Sequence, residues 1–100
     1  MQTHYAERFE REQGSTEADW LRCLPGAVRE HRLDLPAPGQ ARIQIGGGQL
    51  LLRWLALPDR QIALMRMPRL VATYHFEAVP EDQRQSFMRY FDLFMLRGGG

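Results

Sequence analysis

The segment from Ala41 to Ala78 is predicted almost throughout to be β-strand and turn, and it constrains the fold of this chain more than any other feature. The alternation of apolar and polar residues is clearest near its end, where apolar residues occupy the even positions of 70–76. The odd positions are polar, except for Val71. Because successive side chains of a strand point to opposite faces, this pattern predicts one face buried in a core and one face left to water or to a partner.

Glycines and prolines divide this segment into strands. The three glycines at 46–48 supply the positive φ angles that a tight hairpin needs, so a hairpin is predicted there. The next strand, 49–57, is apolar on both faces, which is typical of a central strand. A turn is predicted at 58–60, and the strand 61–67 returns from it. Pro68 has no N–H for the sheet and predicts a bend or a sheet edge.

A helix rich in apolar residues is predicted over 81–96. Pro80 suits the first helical position, and the two acidic residues that follow it lie at the positive end of the helix dipole. At 3.6 residues per turn, one side of this helix collects Phe87, Phe91 and Phe94. We expect the helix to pack through these rings across one face of the sheet.

The N-terminal third carries weaker signals. Thr16 and Asp19 predict the start of a helix, with aspartate in place of the usual glutamate of a capping box, and the Pro-Gly pair at 25–26 predicts its end. Residues 28–35 fit a first strand or a helical turn. Residues 1–14 carry few large apolar groups among many charges, which predicts a frayed helix or a flexible arm.

These signals predict an α+β fold: an antiparallel sheet of four or five strands with an N-terminal and a C-terminal helix, arranged as a two-layer sandwich. The chain has 100 residues, which is the usual size of one domain. We therefore expect a flexible arm over 1–14 and a single α+β domain over 15–100.

Composition favours a bacterial cytoplasmic protein. The start lacks the basic and then apolar pattern of a signal peptide, and the single cysteine, Cys23, excludes an intramolecular disulfide. No apolar run approaches the roughly 20 residues that span a bilayer. All thirteen basic residues are arginine, without any lysine or asparagine, which indicates a GC-rich genome. The net charge of +1 disfavours a nucleic-acid binder, for which a stronger basic excess is expected.

No motif in the sequence predicts a catalytic residue, a cofactor or a metal site. His75 and Glu77 lie two apart on one strand face and offer two metal ligands, but a third ligand is not indicated. The glycines at 46–48 lead into a strand and lack the Lys-Ser or Lys-Thr pair of a phosphate loop. Trp54 and Tyr74 fall on the more apolar faces of their strands and are expected in the core. The sequence therefore favours a protein that is not an enzyme.

Two surfaces suggest function. The first hypothesis is a self-associating interaction module, a homodimer or a binder of another protein, that uses a surplus of apolar residues on the sheet and the last helix. The candidate interface residues are Leu51, Leu55, Leu57, Met88, Met95 and Leu96. The alternative is a domain that binds an anion or nucleic acid through the polar sheet face. The candidate anion-binding residues are Arg42, Arg53, Arg69 and His75.

Overall fold

One antiparallel sheet of five strands is the centre of the computed structural model, which describes residues 4–98. The elements in chain order are β1 (Arg8–Gln13), α1 (Glu17–Val28), β2 (Leu33–Asp34), β3 (Gln40–Ile45), β4 (Gly48–Ile62), β5 (Met65–Glu77) and α2 (Glu81–Gly98). The strands lie in the order β1-β5-β4-β3-β2. The predicted α+β class, with an N-terminal and a C-terminal helix, is confirmed. No helix within residues 4–98 is long and apolar enough to cross a membrane.

Both helices pack on the same face of the sheet. Trp20 of α1 meets Trp54 of β4 with ring centroids 5.8 Å apart, and Phe91 of α2 meets Tyr74 of β5 at 6.0 Å. Phe87 is also buried there. The strand residues of this face that are buried in the core are Ala41, Ile43, Ile45, Leu50, Leu52, Trp54, Leu70, Ala72, Tyr74 and Phe76. The predicted packing of the last helix is therefore confirmed, and so is the assignment of Trp54 and Tyr74 to the core.

The flexible arm predicted for residues 1–14 is wrong over 8–13, which form the edge strand β1. This strand pairs antiparallel with β5, from Arg8 opposite His75 to Gln13 opposite Leu70. Tyr5 precedes it and is only 1% exposed. The sequence of β1 is strongly charged, so the strand depends on partners that lie far away in the chain. Residues 1–3 of the predicted arm lie outside the described residues.

A polar network on the helix-covered side holds β1 against α2. Asp92 accepts hydrogen bonds from Tyr5 Oη at 2.6 Å and from Arg11 Nη1 and Nη2 at 3.0 and 2.7 Å. Arg11 Nη2 also donates to Tyr74 Oη at 3.2 Å, and the guanidinium lies 4.9 Å from the centroid of the Tyr74 ring. The bidentate pair with a carboxylate neutralises the guanidinium charge and, with Tyr74, satisfies three of its donors, which lets Arg11 occupy a largely buried position although its Nε has no partner within the described residues.

Alkaline pH is expected to destabilise the protein between about pH 10 and pH 12, because burial and the hydrogen bond to Asp92 raise the pKa of Tyr5 from its ordinary 10.0 to about 12. Burial also raises the pKa of Tyr74. The unfolded chain ionises first, so the stabilisation is complete below pH 10 and is lost as the pH rises through about 12. Urea midpoints measured across this range should fall less steeply for Tyr5→Phe than for the wild type. Identical slopes would contradict the prediction.

Helix α1 does not end at the Pro-Gly pair as predicted, and it continues through Pro25 and Gly26 to Val28. Thr16 caps its start as predicted, since Oγ1 accepts from the Asp19 N–H at 3.1 Å. A Cβ on Gly26 would clash with the ring of Phe94 in α2, so this glycine allows the two helices to approach closely. The helix ends instead at Arg29, which takes φ 55° and donates its N–H to the Gly26 carbonyl.

The predicted turn at 58–60 is also wrong, because Pro58 and Asp59 form a β-bulge within β4. The pairing register between β4 and β5 shifts between Leu57 and Arg60, and the ladder then continues to the pair of Ile62 and Met65. The hairpin turns at Ala63, which has φ 54°. The predicted hairpin at 46–48 is confirmed, with φ 56° at the first glycine.

Candidate functional site

The sheet face opposite the helices is not covered by any described element, and we call it the open face. Directly paired residues of neighbouring strands point to the same face and lie side by side. From the body of the sheet toward the hairpin tip, the paired residues of β4 and β5 on this face are Gln49 and Glu77, Leu51 and His75, Arg53 and Thr73, Leu55 and Val71, Leu57 and Arg69, Arg60 and Met67, and Ile62 and Met65. Polar residues predominate at the first end of this series and apolar residues at the other, where Arg60 and Arg69 are the exceptions.

Three arginines and one histidine gather at the body end, and we call Arg8, Arg42, Arg53 and His75 the basic half. Arg42 pairs with Leu51, which pairs with His75, which in turn pairs with Arg8, so these residues form one line across four strands. Within the described part of the chain, none of the three arginines has an ion-pair or hydrogen-bond partner. A shallow cavity of about 280 Å³ lies among Arg8, Leu51, Arg53 and His75.

Arg69 was predicted to join this anion-binding set, but the structure commits it elsewhere. Its Nη1 donates to Glu12 Oε1 at 2.7 Å, and its Nε donates to the carbonyl of Pro58 at 2.9 Å. Arg60 also pairs with Glu12, at 3.3 Å. Arg69 therefore holds the bulge in place and is neutralised by a carboxylate. Arg8 takes its place in the basic half, and the sequence analysis missed it because it lies in the segment predicted to be flexible.

The apolar end of the open face continues onto a projecting ribbon, and we call residues 57–69 the hairpin arm. The pairing of β3 with β4 ends at Arg53, and the pairing of β1 with β5 ends at Leu70. Beyond these points only two strands are left. The arm and its base carry large apolar side chains that are 43–99% exposed: Leu55, Ile62, Leu64, Met65 and Met67. An isolated two-stranded ribbon is only marginally stable in water, which makes such a surface unusual for a monomer.

The predicted interface residues on the last helix do not belong to this surface. Met88 is fully buried, so its assignment to an interface is wrong. Met95 packs partly buried against the core. Leu96 is 79% exposed, but it lies on α2, on the other side of the sheet from the open face. Of the predicted interface residues, Leu51, Leu55 and Leu57 lie on the open face, where the last two adjoin the apolar side chains of the arm.

No group of three or more potential metal ligands occurs within residues 4–98. His75 and Glu77 both lie on the open face, and Glu77 accepts a hydrogen bond from Gln49 at 2.6 Å. Cys23 is buried in α1. The candidate site is therefore a surface with two chemically different ends, one basic and one apolar.

Comparison of the chain with protein-family models, with curated proteins and with solved structures gives no match.

Proposed function

We propose that this protein is an interaction module that forms a homodimer through the apolar residues of the hairpin arm and its base. The observation that carries the proposal is the exposed apolar side of a ribbon that has no third strand beside it and no described element over it. A second layer over that side removes the apolar side chains from water, at roughly 25 cal/mol for each Å² buried. We assign the module to the bacterial cytoplasm and give it no catalytic role.

A second copy fits this surface because the order of its apolar pairs is symmetric. A two-fold axis across the middle of the arm, perpendicular to the strands, places Leu55 of one copy over Ile62 of the other. The same axis places Val71 over Met65. Both ends of the apolar series therefore meet apolar residues, as a closed isologous interface requires. The two central pairs of the series each contain an arginine, and Glu12 of the same chain pairs with both Arg60 and Arg69, which leaves one positive charge there in each copy.

Electrostatics favours this antiparallel arrangement over a parallel one. In the antiparallel dimer the basic halves lie at opposite ends, whereas a parallel dimer would stack Arg8, Arg42 and Arg53 of both copies against each other. Like charges brought together in an interface oppose binding. The contact of one ribbon with another lies near the lower limit of about 1,000 Å² in total for a specific interface. We therefore expect a dimer that dissociates in the micromolar range.

A charge placed in the arm surface is expected to give a folded monomer. Sedimentation should show a dimer for the wild type at high micromolar concentration and a monomer for Leu55→Glu and for Met65→Glu. Leu35→Glu is the matched control, because Leu35 is 56% exposed and Leu55 is 66% exposed, but Leu35 lies outside the open-face pairs of β4 and β5. Circular dichroism checks that each variant is folded. A monomeric wild type, or a dimer that survives both arm substitutions, would refute the proposal.

Thiol crosslinking tests the orientation of the two copies. In a Leu55→Cys, Ile62→Cys double variant, the two new thiols of one chain are about 23 Å apart along β4 and cannot join within that chain. The antiparallel dimer places the thiol at 55 of each copy opposite the thiol at 62 of the other, about 10 Å away between Cα atoms, so a bifunctional thiol reagent of that length should give a covalent dimer. Either substitution alone should not crosslink. A double variant that stays uncrosslinked although the dimer persists would overturn the antiparallel arrangement.

A further inference from the structure

We propose that the basic half of the open face is a separate binding site for a phosphomonoester dianion. The site lies on the body of the sheet, outside the pairs of the hairpin arm, so it stays accessible in the proposed dimer and does not depend on it. Arg8 and Arg53, which have no protein partner, line a shallow cavity together with the half-buried His75, and Arg42, also without a partner, lines the neighbouring cavity. Arginine presents a planar fork of donors that matches the oxygens of phosphate.

The positions of the three arginines allow them to reach one group. Arg8 and Arg42 lie at the two ends of the same line across the sheet, three strand spacings or about 14 Å apart. Arg53 comes from the next pair along β4, between them. An extended arginine side chain spans about half of that separation, so all three guanidinium groups can reach a ligand bound above Leu51 and His75. The side chains of Leu51 and Thr73 leave room there, as the cavity of about 280 Å³ shows.

The site carries a net positive charge. Arg8, Arg42 and Arg53 carry three positive charges, and two carboxylates carry one negative charge each: Glu10, which pairs with Thr73 in the same area of the face, and Glu77, which follows His75 on it. The nearby Asp34 forms an ion pair with Arg32 at 3.3 Å, so the charges of these two residues cancel. The resulting local charge of +1 attracts an anion, and a phosphomonoester bears close to two negative charges at neutral pH.

A second cavity shows where the rest of such a ligand would lie. It has a volume of about 520 Å³, and the polar side chains that line it are Arg32, Asp34, Arg42, Gln44, Gln49 and Glu77. Its side-chain amides and two carboxylates offer both donors and acceptors of hydrogen bonds. We therefore infer a phosphate carried on a polar group, either a free metabolite or a phosphorylated side chain of a protein.

A nucleic-acid backbone is the less suitable source of phosphate. Proteins that bind single strands stack the bases on exposed aromatic rings. Within the described residues, the open-face pairs of β4 and β5 contain no phenylalanine, tyrosine or tryptophan, and the nearby Trp54 and Tyr74 are buried under the helices.

Isothermal titration calorimetry with inorganic phosphate and with free phosphoserine tests the site. We expect both to bind the wild type, and we expect Arg53→Gln and Arg42→Gln each to weaken binding about tenfold or more, because each removes a charge-assisted contact. Arg22→Gln is the matched control, since Arg22 is an exposed arginine on α1 that pairs only with Asp19. It should leave the affinity unchanged. A phosphoserine peptide that binds more tightly than free phosphoserine would identify a protein as the source, and equal affinity would identify a metabolite.

Three results would overturn the inference. The first is the absence of binding of phosphate and phosphoserine to the wild type at millimolar concentration. The second is an equal loss of binding in Arg22→Gln, which would show that any surface arginine contributes as much. The third is a single-stranded oligonucleotide that binds more tightly than phosphoserine, competes with it and loses affinity steeply with salt, which would assign the basic half to nucleic acid.

Discussion

Replacing Phe91 with alanine is expected to lower the free energy of unfolding by about 3 to 5 kcal/mol. Phe91 is fully buried, and its ring lies 5.8 Å from Phe87, 6.0 Å from Tyr74 and 6.1 Å from Trp20, measured between centroids. It therefore joins both helices to the sheet, and alanine would leave a cavity at their junction. The expected loss is a large part of the roughly 5 to 15 kcal/mol that stabilise a domain of this size.

Urea unfolding followed by tryptophan fluorescence measures this effect, because Trp20 lies beside the substituted ring. Leu96→Ala is the control, since Leu96 is on the same helix but 79% exposed. Its effect should stay within about 0.5 kcal/mol. A loss below about 1 kcal/mol for Phe91→Ala would contradict the central position of α2 on the sheet.

Replacing Asp92 with alanine is expected to cost about 3 kcal/mol or more, because it leaves a largely buried guanidinium without its counter-charge. The side chains of Arg11 and Asp92 are 26% and 24% exposed, so water replaces the lost carboxylate poorly. Tyr5 loses its acceptor at the same time. The network ties β1 to α2 across 81 residues of sequence, so its loss should release the edge strand.

Hydrogen exchange of the β1 amides, together with the unfolding free energy, measures this second effect. Asp19→Ala is the matched control, because Asp19 forms an exposed pair with Arg22 at 3.3 Å. Exposed pairs contribute about 1 kcal/mol or less. Asp92→Asn keeps the size of the side chain but removes its charge, and it should lie between the control and Asp92→Ala. If Asp92→Ala and Asp19→Ala have the same effect, the network does not hold β1.

The alternation of apolar residues along β3 and β5 was sufficient to predict the core face of the sheet, because the side chains of any strand alternate between its two faces whatever strand it pairs with. The same holds for α2, whose rings repeat at the helical period. Phe87 and Phe91 were enough to predict that α2 packs against the sheet, and both rings are buried. Sequence reasoning reached its limit at β1, where Phe9, Arg11 and Gln13 form the inward face. Arg11 would be predicted to be exposed to solvent, because the sequence does not show that Asp92 lies beside it.

The prolines and glycines were interpreted as chain breaks, and the structure uses several of them inside elements. Pro25 lies in α1 because the last turn of the helix buries Ala27 and Val28, whose burial compensates for the missing hydrogen bond. Pro58 lies in the β-bulge of β4, and its carbonyl accepts a hydrogen bond from Arg69 Nε. In both places a tertiary contact outweighs the tendency of proline to end a helix or a strand.

The sequence also predicted only part of the candidate functional surfaces. The sequence identified the open face and its two kinds of residue, since Leu55 and Arg53 are outward-facing by alternation. It did not separate them along the strands, because the separation depends on where β1 and β3 stop pairing with the central hairpin. Arg8 enters the basic half only through its register with His75, and Arg69 leaves it through its contact with Glu12.

The sequence was enough to predict the strand faces, the hairpin at 46–48, the capped start of α1 and the amphipathic α2, because each depends on residues within a few positions of one another. Three other features became known only from the fold: β1 is a strand, the hairpin arm projects, and the arginines of the open face divide into paired and unpaired groups. These features depend on contacts between residues that are distant in sequence, such as Arg11 with Asp92 and Arg69 with Glu12. Local pattern carries no information about which distant residue will supply a partner.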